Sequence, residues 1–279
     1  MGRIGRSIEL IKVCWRVLKA DKELVVFPIV SAIALAVVTA SFVLPWVAVG
    51  GLDRVGSESY SIADIALLAA FYVVQYFVVI FANSALIGAA LKRLRGEDPT
   101  LGDGFRIAFS HLGSIIGYAL IAATVGLILR LISEKAGFLG QIAVALVGTA
   151  WNIATFLAVP VLVAEDVGPG TAIKRSVVLL KKTWGEQIVG TFGIGLIFFL
   201  IALPVVIVGV VLAFVAGSAV GAPGAIAVIV VVVVAILALS LLSATMNGIL
   251  AAAVYDYAVT GKTGGFFDES LIRGAFRQK

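Results

Sequence analysis

Residues 187–255 read QIVGTFGIGLIFFLIALPVVIVGVVLAFVAGSAVGAPGAIAVIVVVVVAILALSLLSATMNGILAAAVY, without one Asp, Glu, Lys or Arg. A bilayer core about 30 Å thick takes about 20 residues of helix, so this run exceeds one span and fits two. Gly217-Ser-Ala-Val-Gly-Ala-Pro-Gly224, near its middle, supplies the turn between them. Four more charge-free runs, Leu24–Val49, Ile65–Leu91, Leu112–Leu129 and Ala136–Ala164, are one span each. Hydrophobic residues make up 61% of the 279 and charged ones 13%. Soluble domains carry about 45–50% and about 25%. The excess lies in uninterrupted runs, so it reads as membrane and not as a larger core. The expected fold class is all-α: a polytopic integral membrane protein with six transmembrane helices in three hairpins, residues 1–279 forming one membrane domain.

The charge between the runs sets the orientation. Six spans put both termini and two loops on one side. That side holds 18 of the Lys and Arg residues and the other holds Arg54, Arg130 and Lys135. The positive-inside rule makes the 18-residue side cytoplasmic. The net charge of +5 is mostly carried there, so anionic lipid head groups are the expected partners. Nucleic acid is not expected, because no basic soluble domain exists to carry a contact surface. The N-terminus is no secretory signal, since a long charged segment precedes a run too long for an h-region. Met1-Gly2 lacks the Ser or Thr at position 6 that myristoylation needs, Arg6 standing there.

The polar segments repeat. Residues 6–15 read RSIELIKVCW and residues 175–184 read RSVVLLKKTW, sharing R-S-x-x-L-x-K-x-x-W. In the first copy Ile4, Ile8, Ile11, Trp15 and Leu18 recur at helical spacing, opposite Arg6, Glu9, Arg16 and Lys19. In the second, which opens at Gly168-Pro-Gly-Thr171 with Thr171 as N-cap, Ile173, Val177, Leu180 and Trp184 make the stripe opposite Lys174, Lys181 and Lys182. A basic amphipathic helix with Trp suits a membrane interface. Between spans two and three, Pro99-Thr-Leu-Gly-Asp-Gly104 reads as a turn, followed by a shorter stripe of Phe105, Ala108, Phe109 and Leu112 where the decapeptide is missing. Ser61 or Asp64 is a candidate cap for span two. Asp268 is a candidate cap for a tail helix sharing Phe267, Leu271, Ala275 and Phe276. The organisation is an interface helix over 1–23, hairpin one over 24–92, a short interface helix and hairpin two over 93–164, an interface helix and hairpin three over 165–257, and a cytoplasmic tail with a short helix over 258–279. Hairpins that all enter from the cytoplasm make a parallel repeat, not an inverted one.

Three segments also carry a family likeness: Arg6-Ser7 with Lys12, Trp15, Asp21-Lys-Glu-Leu24 and Phe27-Pro28; Lys174-Arg-Ser with Leu180-Lys-Lys-Thr-Trp-Gly-Glu186; and Phe267-Asp-Glu-Ser-Leu-Ile-Arg-Gly-Ala-Phe276. In these the chain resembles a family of prokaryotic six-span membrane proteins catalogued only as a domain of unknown function. The resemblance covers nearly the whole chain. It implies six spans and a prokaryotic inner membrane, with both termini cytoplasmic, and it implies no activity.

No motif places an enzyme, so the protein is expected not to be one, with no catalytic residue, cofactor or metal site. One Cys and one His leave no zinc set. Gly261-Lys-Thr263 imitates the end of a P-loop, but Asp256 stands where a Gly is required. No G-x-S-x-G elbow occurs. Tyr255-Asp256 has no second intramembrane acid to pair with, and Glu165, Asp166, Glu186 and Asp256 are expected to pair with nearby cations or lie solvated. His111 reads as a titrating surface residue, and Cys14 as a small apolar one. Asn83, Asn152 and Asn247, one in each even-numbered span, could line a midplane site; hydrogen bonding between helices is the plainer reading. Pro160 and Pro204 could free carbonyls, or simply kink their spans. Gly113-x-x-x-Gly117 with Gly190, Gly193 and Gly195 allows close helix contact, within the chain before between chains. The expected function is therefore a non-enzymatic membrane protein whose basic face binds anionic lipid or a partner protein through Arg6, Lys12, Trp15, Arg175, Lys181 and Trp184. A second copy or another membrane protein is the alternative partner. The alternative function is a transporter or channel for a neutral, weakly polar or lipidic solute at the three asparagines.

Overall fold

The structure is a computed structural model describing residues 3–51, 61–184 and 192–261, with side chains placed at 12–51, 61–181, 195 and 197–261. Every regular element among them is helical: α1 Arg3–Ala20, a 3₁₀ turn Lys22–Val25, α2 Val26–Ala48, α3 Ile62–Leu94, α4 Leu101–Ser110, α5 Leu112–Lys135, α6 Phe138–Ala154, α7 Ala158–Glu165, α8 Pro169–Trp184, α9 Phe192–Val220 and α10 Ala222–Thr260. Six stretches are long and apolar enough to cross a membrane: Lys22–Ala48, Ile62–Leu94, Leu112–Lys135, Phe138–Glu165, Ile197–Val220 and Ala222–Thr260. Each of the four shorter charge-free runs overlaps one of these stretches, and the described part of the longest run overlaps two. The tail helix expected around Asp268, and the side chains of Arg6 and Trp184, lie outside the described residues.

Local chemistry fixes the boundaries. Ser61 Oγ accepts from the Asp64 N–H at 3.2 Å, and Asp64 Oδ2 accepts from the Ser61 N–H at 3.0 Å. This reciprocal capping box satisfies two helix-end donors and starts α3. The same device at Thr100 and Asp103 starts α4. Residues 99–104 are therefore not a turn throughout, because helix begins at Leu101. Thr171 is likewise not the cap of α8. That helix starts at Pro169, whose missing N–H is no loss at a first helical position, and the Ala172 N–H already bonds Gly168 O at 2.9 Å. The turn expected over 217–224 contracts to Gly221, whose φ of 79° and ψ of −166° suit only glycine.

Packing concentrates at one end of the bundle. Helix α3 is the hub, touching α2, α4, α5, α7 and α10, and α9 packs along α10. Leu24, Phe27, Leu86, Ile115, Leu157, Leu162 and Ile249 are fully buried there. Lipid tails are as apolar as leucine, so helices gain from close backbone approach more than from burying grease. The contacts are accordingly lined by small residues: Ala85, Ala89 and Ala90 on α3, Ala119 and Ala122 on α5, Ala251 to Ala253 on α10. Gly248 of α10 lies so close to Leu86 of α3 that a methyl there would overlap it, and a methyl at Gly104 would overlap Phe27. The expected glycine pair splits: Gly117 sits under Pro169, while Gly113 faces open space. At the other end Leu44, Ile62, Phe138, Leu146, Phe214 and Val231 are exposed. No residue of α6 is buried, and none of 222–244 in α10. Such a surface is the kind that lipid covers.

Candidate functional site

Ion pairs and hydrogen bonds gather the polar segments at the packed end. Arg93, on the last turn of α3, donates to Ala20 O at 3.1 Å and to Asp98 Oδ1 at 2.6 Å. Arg95 reaches Asp256 of α10 at 3.0 Å. Glu23 accepts from the Leu101 N–H at 3.0 Å. Lys92 lies 3.5 Å from Asp103 and 3.6 Å from Glu97. The end of α1, the start of α2, the end of α3, α4 and the end of α10 thus meet on one side of the bundle.

Helices α1, α4 and α8 each pack on a different spanning helix: α1 on α10, α4 on α3 and α8 on α7. In α1 the buried face is Val13, Cys14, Val17 and Leu18. This revises the expected stripe: Trp15 is 40% exposed and stands with Lys19, whose Nζ lies 5.8 Å from its ring centroid. Burial pushes the Cys14 thiol up to about 12, as befits a small apolar residue and not a reactive one. Asp21 is buried with Oδ2 lacking any hydrogen bond. Burial raises its carboxyl above the ordinary range, and the Arg93 charge opposes that rise. Asp103 is held below the usual carboxylate range by hydrogen bonds from Thr100, backbone first.

In α8 the buried face is Ala172, Ser176, Leu179 and Leu180. Two adjacent residues of this helix do unlike things. Arg175 donates to both oxygens of Glu165, at 3.2 Å each, and Tyr255 donates to the same carboxylate at 3.2 Å. Ser176, with no exposed surface, donates to Ala154 O at 2.7 Å and accepts from the Leu157 N–H at 3.1 Å. Ala154 and Leu157 flank the break between α6 and α7, so one hydroxyl satisfies groups on both sides of an interrupted span. Pro160 reads as a kink in the sequence, but spacing does not say which side chain meets the break before it; the Arg-Ser shared by the two decapeptides is the one cue to Ser176.

The lipid-facing candidates divide. Lys12 and Lys181 are exposed, and neither has an ion-pair partner among the described residues. Arg175 is engaged by Glu165. Asn83 and Asn247 are half-buried, whereas Asn152 is exposed. Asn247 donates to Ser243 O on its own helix at 2.9 Å, not across to a neighbour. No hydrogen bond joins the three asparagines among the described residues. Of the helices that carry them, α3 and α10 touch each other, whereas α6, which carries Asn152, packs on α5 and α8. His111 is not a free surface group: it joins α4 to α5, its Nδ1 2.8 Å from Ile107 O and its Nε2 3.5 Å from Asp166. Asp166 holds the left-handed φ of 47° that ends α7. Among the described residues, no cluster of three or more His, Cys, Asp or Glu could hold a metal.

No curated protein and no solved structure matches the chain. A family profile described as a family of unknown function, DUF6159, matches residues 62–266, which is most of the length. The chain belongs to that family.

Proposed function

We propose that the protein is a non-enzymatic, six-span component of a prokaryotic inner membrane whose basic cytoplasmic end binds anionic lipid head groups. The spans form three hairpins, each preceded by a helix lying along the inner leaflet, with both termini cytoplasmic. The packing pairs α1 with α10, α4 with α3 and α8 with α7, which is what three like units closing in a ring would give. Support also comes from register: Gly104 of α4 approaches Ala85 O, and Ser176 of α8 bonds Ala154 O, each carbonyl two residues after an asparagine. By this alignment residues 103–112 are the middle copy of the repeat.

One observation carries the lipid reading. At the basic end Glu97, Asp98, Asp103, Glu165 and Asp256 are each paired with a Lys or Arg inside the protein. Lys12, Arg16, Lys19, Lys22, Lys174 and Lys181 are exposed with no ion-pair partner among the described residues. The surplus is positive and points outward. Each such cation near an anionic leaflet contributes about 1 kcal/mol, and Trp15 and Phe109 stand exposed beside it to enter the interface. The test uses the full chain reconstituted with spin-labelled phosphatidylglycerol or phosphatidylcholine. The motionally restricted fraction should be larger for the anionic lipid, shrink with added salt, and fall in Lys12→Gln/Lys181→Gln. Equal fractions for the two lipids would overturn the reading.

A solute path through the asparagines has less behind it. Its support is the contact of α3 with α10, which carry Asn83 and Asn247; against it, Asn152 lies exposed on α6, which packs on α5 and α8, and Asn247 is occupied within its own helix.

A further inference from the structure

Span four is two pieces in different surroundings. Helix α7 buries Ala158, Pro160, Val161, Leu162 and Val163 and touches α3 and α10. Helix α6 buries nothing and touches only α5 and α8 among the closer contacts. Between them Thr155 and Leu157 leave helical geometry, with ψ of 4° and 6°. Pro160, in the first turn of α7, has no N–H to carry the helix back across the gap. Broken spans survive in membranes only where the freed backbone groups find other partners; here the Phe156 N–H bonds Ile153 O at 3.2 Å and the Ala158 N–H bonds Thr155 O at 2.9 Å, and Ser176 takes Ala154 O and the Leu157 N–H. The neighbouring Arg175 grips Glu165, the last residue of α7. Consecutive residues of α8 therefore hold both ends of one eight-residue helix.

We propose that Ser176 is the pin of a hinge at 155–157, and that α8, riding on the membrane surface, sets the tilt of α6 through it. The inner half of span four is fixed in the core, so movement at the break falls on α6. The opposite side of α8 carries Lys174 and Lys181, both exposed. Head groups that draw these lysines toward the leaflet shift Ser176 relative to Ala154 and Leu157, and α6 follows. The coupling rests on the lipid reading above; the pin does not.

The experiment places spin labels at Leu146→Cys on α6 and Leu68→Cys on α3 in a Cys14→Ala background, with the full chain in nanodiscs. Leu146 and Leu68 are both exposed. The α6–α3 distance distribution should shift between phosphatidylcholine and phosphatidylglycerol-doped discs. In Ser176→Ala it should broaden and stop responding, and the Leu157 amide should exchange about tenfold faster. Arg175→Gln, which leaves the hydroxyl in place, should keep the Leu157 protection and reports on variants that simply unfold. Unchanged distance and exchange in Ser176→Ala would overturn the hinge pin. An anionic-lipid preference in the reconstitution assay with no shift of α6 would overturn the coupling alone, whereas loss of that preference would remove the lipid reading first.

Discussion

Cys14 and Asp21 sit seven residues apart, and burial acts on both in the same sense, favouring the neutral form. With its thiol at about 12, Cys14 stays protonated at neutral pH. A membrane-permeant maleimide should leave it unmodified in the folded protein and label it after denaturation; rapid labelling of the native chain would contradict its burial. Asp21 is the more informative group. Its folded-state value is raised, so the folded chain keeps the proton to higher pH than the unfolded chain does. Stability from this group is then present at low pH and lost as pH rises from the ordinary carboxylate value through the raised one. Asp21→Asn should flatten that limb of a melting-temperature profile in detergent and raise the value at neutral pH. A steeper limb would show that Arg93 outweighs burial. Asp103 works the other way: its lowered value means its contribution to α4 is lost as pH falls through that value. Ser176→Ala, which strands a buried carbonyl and amide, should cost about 1–3 kcal/mol in thermal unfolding. Of these residues the sequence exposed the apolar role of Cys14 and the pairing of Glu165 and Asp256. It concealed Asp21 and Ser176, because whether a short polar side chain is buried depends on the neighbour it meets, which no local pattern encodes.

At the level of elements, glycine decides how closely helices approach. Gly248→Ala should destabilise by about 1–3 kcal/mol through overlap with Leu86. Gly113→Ala, where a methyl meets nothing within 4 Å, should be neutral or stabilising by up to about 1 kcal/mol, as helix propensity alone gives; the pair together separates close packing from that propensity. Helix existence was legible from charge-free runs, since the bilayer sets their length independently of tertiary contacts. Helix starts were legible where a side chain caps them, as at Ser61 and Asp64. They were misread where two signals competed: Pro99 to Gly104 has turn composition, but Thr100-x-x-Asp103 is a capping box and the box won. In α1 Leu18 is buried as the apolar stripe expects, Trp15 is not, and the side chains of Ile4, Ile8 and Ile11 lie outside the described residues. The core instead takes the small residues Val13, Cys14 and Val17, and leaves Trp15 and Lys19 outward as an amphipathic pair suited to an interface.

For the whole molecule, the sequence made a bilayer-spanning all-α protein plain, and the structure adds where it is tight and where it is loose. Small residues and ion pairs knit the basic end; long β-branched and leucine side chains on α9 and α10 face outward over the rest. That division was not readable from hydropathy, which scores Val231 and Val254 alike although one is exposed and the other buried. It does follow from composition once small residues are weighed, Ala251 to Ala253 against the five valines of 230–234. The proposed topology puts Lys181 and Lys12 in the cytoplasm and the α5–α6 turn at Gly137 outside. Single cysteines at these three positions, in a Cys14→Ala background, should respond differently to a membrane-impermeant maleimide on intact cells: Gly137→Cys reacts at once, and Lys12→Cys and Lys181→Cys react only after permeabilisation. Labelling of Lys181→Cys on intact cells while Lys12→Cys stays protected would split the basic end across the membrane and contradict the six-span orientation.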